Sequence, residues 1–166
     1  MADVCFIKDM LQRGLPELLR GLIADELFAR FVSHDEQAFA REVYMSVDQI
    51  ACLQRHGQYV GSHGYNHYWL DSLPPDLQRL EIDRSLDFLA QVGSPVDRWM
   101  MCYPYGAHDA SVRGLLAERR CVVGLTTDQG IARLDRDTPL VLPRLDTNDL
   151  PKSADAPANE WTQRAA

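Results

Sequence analysis

Two histidines four residues apart, His63 and His67, lie in the run Gly61-Ser62-His63-Gly64-Tyr65-Asn66-His67. Imidazoles at that spacing present nitrogens to one ion when the second sits in the first turn of a helix. Taken alone the pattern is weak, and both residues read equally well as polar loop side chains. Position favours a metal. Residues 58–62 (Gln-Tyr-Val-Gly-Ser) have the composition of a short strand, so the pair falls at a strand's C-terminal end.

A second group is Tyr103-Pro104-Tyr105-Gly106. Proline and glycine force a sharp turn, which can leave a backbone N–H pointing into a cleft, where it suits the oxyanion of a tetrahedral intermediate. The same residues also serve as a plain aromatic turn that ends a strand. A third group, Pro143-Arg144-Leu145-Asp146-Thr147-Asn148-Asp149, offers a cation and carboxylates for substrate hydroxyls, or a solvated turn. Thr126-Thr127-Asp128-Gln129-Gly130 carries the same ambiguity.

These groups must be held by regular elements, and the chain supplies a repeating order of them. Between Ile7 and Val32, apolar residues at Leu11, Leu15, Leu18, Leu22 and Phe28 have helical spacing, with Gly14 and Pro16 breaking the run into two helices. Ser46-Val47-Asp48-Gln49 has the form of a capping box and predicts a helix ending at Gly57. Pro74 and Pro75 suit the first turn of a helix carrying Leu77, Leu80, Leu86 and Leu89 and closing near Gly93. Strands are predicted at Arg98–Tyr103, Cys121–Leu125 and Pro139–Leu142, with a helix through Leu115 and Leu116. Strands alternating with helices make parallel βαβ units, whose strand ends share one face. All three chemical groups follow strands and so meet on that face.

Composition narrows the functions. With 17 basic against 24 acidic residues the formal charge is −7, which repels a phosphate backbone and speaks against nucleic acid. Charges interrupt every apolar stretch well short of the roughly 18 residues needed to enter a bilayer as a span, so membrane insertion is not expected. Cys5, Cys52, Cys102 and Cys121 form no CxxC pair and sit in apolar surroundings, which reads as reduced core thiols. The start Met1-Ala2-Asp3-Val4-Cys5 lacks the basic opening of a secretory signal, and the expected location is cytoplasmic.

Four pieces occur in one order: Ser62-His63-Gly64-Tyr65-Asn66-His67, Tyr103-Pro104-Tyr105-Gly106, Gly124-Leu125-Thr126-Thr127, and Leu142-Pro143-Arg144. Together they resemble the polysaccharide deacetylase family, the NodB-homology or carbohydrate esterase family 4 domain, over roughly Ser46 to Leu150. The resemblance implies an α/β fold, a partial, distorted (β/α) barrel preceded by a helical N-terminal segment. The expected divisions are 1–45 (helical), 46–151 (deacetylase-like domain, an incomplete barrel) and 152–166 (a flexible tail). It implies hydrolysis of an N-acetyl group on a sugar or polysaccharide precursor. By the same resemblance His63 and His67 ligate a divalent metal, typically zinc, the backbone N–H of Tyr105 holds the oxyanion, and Tyr103, Arg144 and Asp146 contact substrate.

The departures carry equal weight. The family opens with a Thr-Phe-Asp-Asp-Gly strand supplying the general base and a metal ligand, and this chain has no Asp-Asp pair. Position 102, where many members carry arginine, is Cys102, and no histidine follows His108. Two recognisable ligands fall short of the usual three of a catalytic zinc site. Asp71, Asp109, Asp128 and Asp146 are the candidate replacements, and the spacing selects none of them; the general base stays unassigned. The chain therefore reads as a shortened, weakly active enzyme whose open strand edge at residues 58–62 invites self-association. The alternative is a non-catalytic remnant that binds carbohydrate or a partner.

Overall fold

A computed structural model describes residues 2–165, which divide into two compact units with the boundary between Cys52 and Leu53. The first is helical. Helix α1 (Ala2–Asp9) passes into a π-helical turn, Met10–Gly14, closed by Leu15 N–H donating to Met10 C=O at 3.1 Å. Pro16 then starts α2 (Glu17–Phe31), so the predicted break at Gly14 and Pro16 is present. In α3 (Glu36–Val43) the Asp35 carboxylate caps the first turn by accepting from Ala38 N–H at 2.8 Å. No residue of α2 or α3 is buried, and Leu18, Leu22 and Phe31 are each more than half exposed.

Helix α4 (Val47–Arg55) begins with the predicted reciprocal cap. Gln49 N–H donates to Ser46 Oγ at 3.2 Å, and Ser46 N–H to Gln49 Oε1 at 2.8 Å. It ends as glycine allows, with Gly57 at φ 76° and Gln58 N–H returning to Leu53 C=O at 3.0 Å.

The second unit is built on a three-stranded parallel sheet ordered β1 (Trp99–Cys102), β2 (Cys121–Gln129), β3 (Leu142–Arg144). Helix α5 (Pro75–Gln91) precedes β1 and α6 (Ala110–Glu118) links β1 to β2. The architecture is the expected α/β arrangement with a partial barrel. Its core gathers Leu70, Ile82, Trp99, Met101, Tyr103, Val112, Leu115, Leu116 and Cys121. Trp99 and Met101 alternate inward along β1, as pleating requires. The Trp99 indole N–H is satisfied by Arg119 C=O at 2.8 Å.

Several expectations need correction. Residues 58–62 form no full strand: only Ser62 pairs, as a parallel bridge to Met101. The strand expected at Pro139–Leu142 is a 3-10 turn over Pro139–Val141 followed by β3, because Pro139 favours a helical φ and lacks an N–H for a ladder. Of the four thiols only Cys121 is buried; Cys5 and Cys52 are exposed. Residues 152–165 include a short helix, α7 (Glu160–Ala165), whose first turn donates to the Asn159 side chain. No helix among the described residues is long and apolar enough to cross a membrane.

Candidate functional site

The site begins where Ser62 leaves the sheet. Ser62 N–H donates to Met100 C=O and Cys102 N–H to Ser62 C=O, both at 2.9 Å, so residue 62 is registered against β1. The Ser62 hydroxyl meets Ser85 Oγ on α5 at 2.7 Å and also accepts from Gly64 N–H at 3.2 Å. Since Ser85 directs its hydrogen to Ile82 C=O at 3.1 Å, Ser62 is the donor between the two hydroxyls.

The next residue is His63, exposed, with its Nδ1 at 2.7 Å from the Cys102 carbonyl oxygen. A carbonyl only accepts, so Nδ1 carries the hydrogen and Nε2 of the neutral ring keeps its lone pair. A second histidine ring stands beside it: the His63 and His67 centroids are 4.7 Å apart at 65°. Burial, then the neighbouring His63, hold the His67 imidazole below its ordinary value and favour the neutral form. His67 reaches this place from a left-handed backbone (φ 60°) rather than from a first helical turn.

Tyr105 lies on the far side of His67, the rings edge-on with centroids at 4.8 Å. Its other neighbour is Trp69, stacked at 4.5 Å and 4°. The Tyr105 backbone is also left-handed, at φ 58°. The turn closes through Gly106 N–H to Tyr103 C=O and Ala107 N–H to Pro104 C=O, at 3.0 and 2.9 Å. Among the described residues no acceptor is bonded to the Tyr105 N–H.

Tyr103 does not belong to the exposed group. It is fully buried, its hydroxyl donates to Leu140 C=O at 2.7 Å, and burial pushes that hydroxyl's pKa up. The residue expected to touch substrate is a core side chain, because the alternation that buries Trp99 and Met101 continues to position 103.

Arg144 and Asp146 line a cleft of about 520 Å³ together with Thr127, Gln129 and Asp149. Arg144 Nε donates to Thr126 C=O at 2.8 Å, and Nη1 lies 3.8 Å from Cys102 Sγ. Arg144 also rims a second cleft of about 440 Å³ that contains Tyr59, Ser62, His63 and Cys102. Asp146 caps the turn Thr147–Asp149, accepting from Asn148 N–H at 2.7 Å. Asp109 is similarly committed, accepting from Val112 N–H at 2.8 Å to start α6. No group of three His, Cys, Asp or Glu side chains among the described residues could surround one ion. The two imidazoles are ligands of the type that suits a borderline-soft divalent cation, and among the described residues no third His, Cys, Asp or Glu side chain joins them.

Sequence reasoning missed Glu81. It sits on α5 between Leu80 and Ile82, is 3% exposed, and accepts hydrogen bonds from residues 65 and 66. Trp69 was missed as well, since an aromatic two residues beyond His67 carries no signal of stacking on a turn 36 residues away.

The sequence profile of the polysaccharide deacetylase family matches residues 33–121. Among solved structures, the Streptococcus pyogenes deacetylase PplD, solved with acetate, superposes with a TM-score of 0.58 at 24% identity, over 65% of this chain and 47% of that one. The BpsB deacetylase domain of Bordetella bronchiseptica gives 0.55 at 19% identity, over 61% and 48%. IcaB of Ammonifex degensii gives 0.53 at 25% identity, over 63% and 48%. The chain thus spans about half the length of the solved structures it matches. No curated protein sequence matches it.

Proposed function

The chain belongs to the polysaccharide deacetylase family, and from that premise we propose that it is a metal-dependent hydrolase removing N-acetyl groups from a sugar or polysaccharide precursor. One observation carries the reading: His63 and His67 stand ring to ring at the end of a parallel ladder, with His63 Nδ1 bound to the Cys102 carbonyl. A backbone carbonyl on the far nitrogen is the usual partner of a metal-binding histidine, since it fixes the tautomer and aims the free nitrogen.

The reaction breaks an amide C–N bond. Water oxygen bonds to the acetyl carbon, the sugar nitrogen leaves with a proton as the amine, and acetate is released. A divalent cation such as zinc supplies, when bound, carbonyl polarisation and a more acidic water. His63 and His67 would hold that cation. The Tyr105 N–H would donate to the oxyanion, and its left-handed backbone supports this by holding the amide in a fixed direction. Arg144 and Asp146 would bind substrate hydroxyls along their cleft. No residue is assigned the general base, and two of the usual three ligands make this chain by itself a weak catalyst. A cytoplasmic setting would suit a nucleotide- or lipid-linked sugar. Although residues 58–62 form no full strand, the open side of the Ser62 bridge would favour self-association, which sedimentation velocity across a concentration series tests; a single monomeric species at all concentrations argues against it.

The ligand count also favours a second reading, a non-catalytic remnant that binds carbohydrate or a partner chain. Metal content and acetate release from an N-acetyl sugar separate the two. Stoichiometric zinc or cobalt that is lost in His63→Ala, together with acetate release, supports the hydrolase. Bound metal without acetate release supports the remnant. A wild-type chain that binds neither metal refutes the histidine-pair reading.

A further inference from the structure

Resting on the histidine-pair reading, we propose that Glu81 is the positioning residue of this site, a buried carboxylate on α5 that holds residues 64–67 in the shape that brings the two imidazoles together. Asp76 and Asp87 of the same helix are exposed, whereas Glu81 is buried. A carboxylate removed from water needs donors. Glu81 finds them in the two residues between Gly64 and His67. Its Oε2 accepts from Asn66 N–H at 2.8 Å and Tyr65 N–H at 3.2 Å, and its Oε1 accepts from the Asn66 side-chain amide.

The segment needs such a partner. Gly64 is at φ 74° and His67 at φ 60°, and a non-glycine residue stays in the left-handed region only where its surroundings impose it. Two consecutive amides donating to one carboxylate fix the peptide planes between these two residues, and charge-assisted bonds of this kind are roughly twice as strong as neutral ones. Ser85, four residues on and therefore on the same face of α5, holds Ser62 through its hydroxyl. One face of one helix thus fixes the chain on both sides of His63 and just before His67. Arg84 adds to the hold by lying over the Tyr65 ring, 5.5 Å from its centroid.

Glu81 works through other groups and touches no reacting atom. Its effect is preorganisation: the two rings are brought together before an ion arrives, and the ordering cost does not fall on binding.

The test uses the full chain carrying Glu81→Gln or Glu81→Ala, with Leu116→Ala on α6, a buried core position that lines no cleft with residues 61–65, as a control that loosens packing. In metal-free protein, amide NMR of Glu81→Gln should show the Tyr65 and Asn66 N–H signals shifted and their exchange protection cut about tenfold, with Ser62 unchanged. Zinc or cobalt affinity should fall about 10–100-fold in Glu81→Gln, while Leu116→Ala lowers the melting temperature and keeps affinity within about twofold. Should Glu81→Ala not fold, Glu81→Gln decides the matter. Wild-type affinity in folded Glu81→Gln, unaltered Tyr65 and Asn66 amides, or an equal loss in Leu116→Ala overturns the proposal. If the wild-type chain binds no metal, the histidine-pair reading fails by itself. The role of Glu81 then stands or falls on whether those amides and the ring-to-ring NOE between His63 and His67 change in the variant.

Discussion

The carbonyl oxygen of Cys102 lies 2.7 Å from Nδ1 of His63, so the side chain at position 102 is not what orients the histidine. Cys102→Ala should therefore leave cobalt affinity within about twofold, whereas His63→Ala should lower it by about 100-fold or more. A cobalt absorbance titration checks both. A large loss in Cys102→Ala would mean that the thiol, rather than the backbone, matters to the ring.

Burial and then the His63 ring depress the His67 pKa below its ordinary value of 6.5. Because the folded-state value lies below that of the unfolded chain, the neutral ring's stabilisation is present above about pH 6.5 and is lost as pH falls through the folded value. Proton NMR titration of the metal-free protein should give a His67 midpoint below 6.5, moving upward in His63→Ala. A midpoint at or above 6.5 removes the electrostatic account of the pair.

Much of this fold is legible in the sequence where local chemistry decides. The Ser46–Gln49 box, Pro74–Pro75 at the start of α5 and glycines 57 and 93 at helix ends all mark boundaries found in the structure, because each acts locally. What depends on distant partners is not legible. Residues 58–62 have a strand's composition, yet only Ser62 finds a ladder, and composition says nothing about whether a neighbour exists. Glu81 looks like an ordinary helix-surface charge until residues 65 and 66 are seen to donate to it. The histidine pair was visible from its spacing, but the backbone route to it, a left-handed His67, was not.

Tyr103 provides a test of core against site. Its hydroxyl donates to Leu140 C=O, so Tyr103→Phe should cost about 1 kcal/mol by leaving a part-buried acceptor without that donor. Metal affinity and acetate release should stay at wild-type values. Chemical denaturation measures the first and the assays above the second. Loss of activity without loss of stability would return Tyr103 to the substrate.

Gly106 controls the turn that carries Tyr105. It is at φ 73°, and a Cβ built there would fall 2.2 Å from Thr127 Oγ1 and 3.1 Å from the Thr127 backbone nitrogen. The hydroxyl can rotate away but the backbone of β2 cannot, and the left-handed conformation is itself costly for alanine. Gly106→Ala should thus destabilise by about 2–3 kcal/mol and, by displacing the turn, weaken the Trp69–Tyr105 stack. Gly114, on the exposed side of α6 with nothing within 4 Å of its would-be Cβ, supplies the opposite case. Gly114→Ala should stabilise by about 0.5–1 kcal/mol through helix propensity alone. Denaturant melts of the two variants measure both signs, and near-ultraviolet circular dichroism follows the stacked rings. Equal stability in the two would mean that the Tyr105 turn is free to shift, and with it the one backbone N–H assigned to the oxyanion.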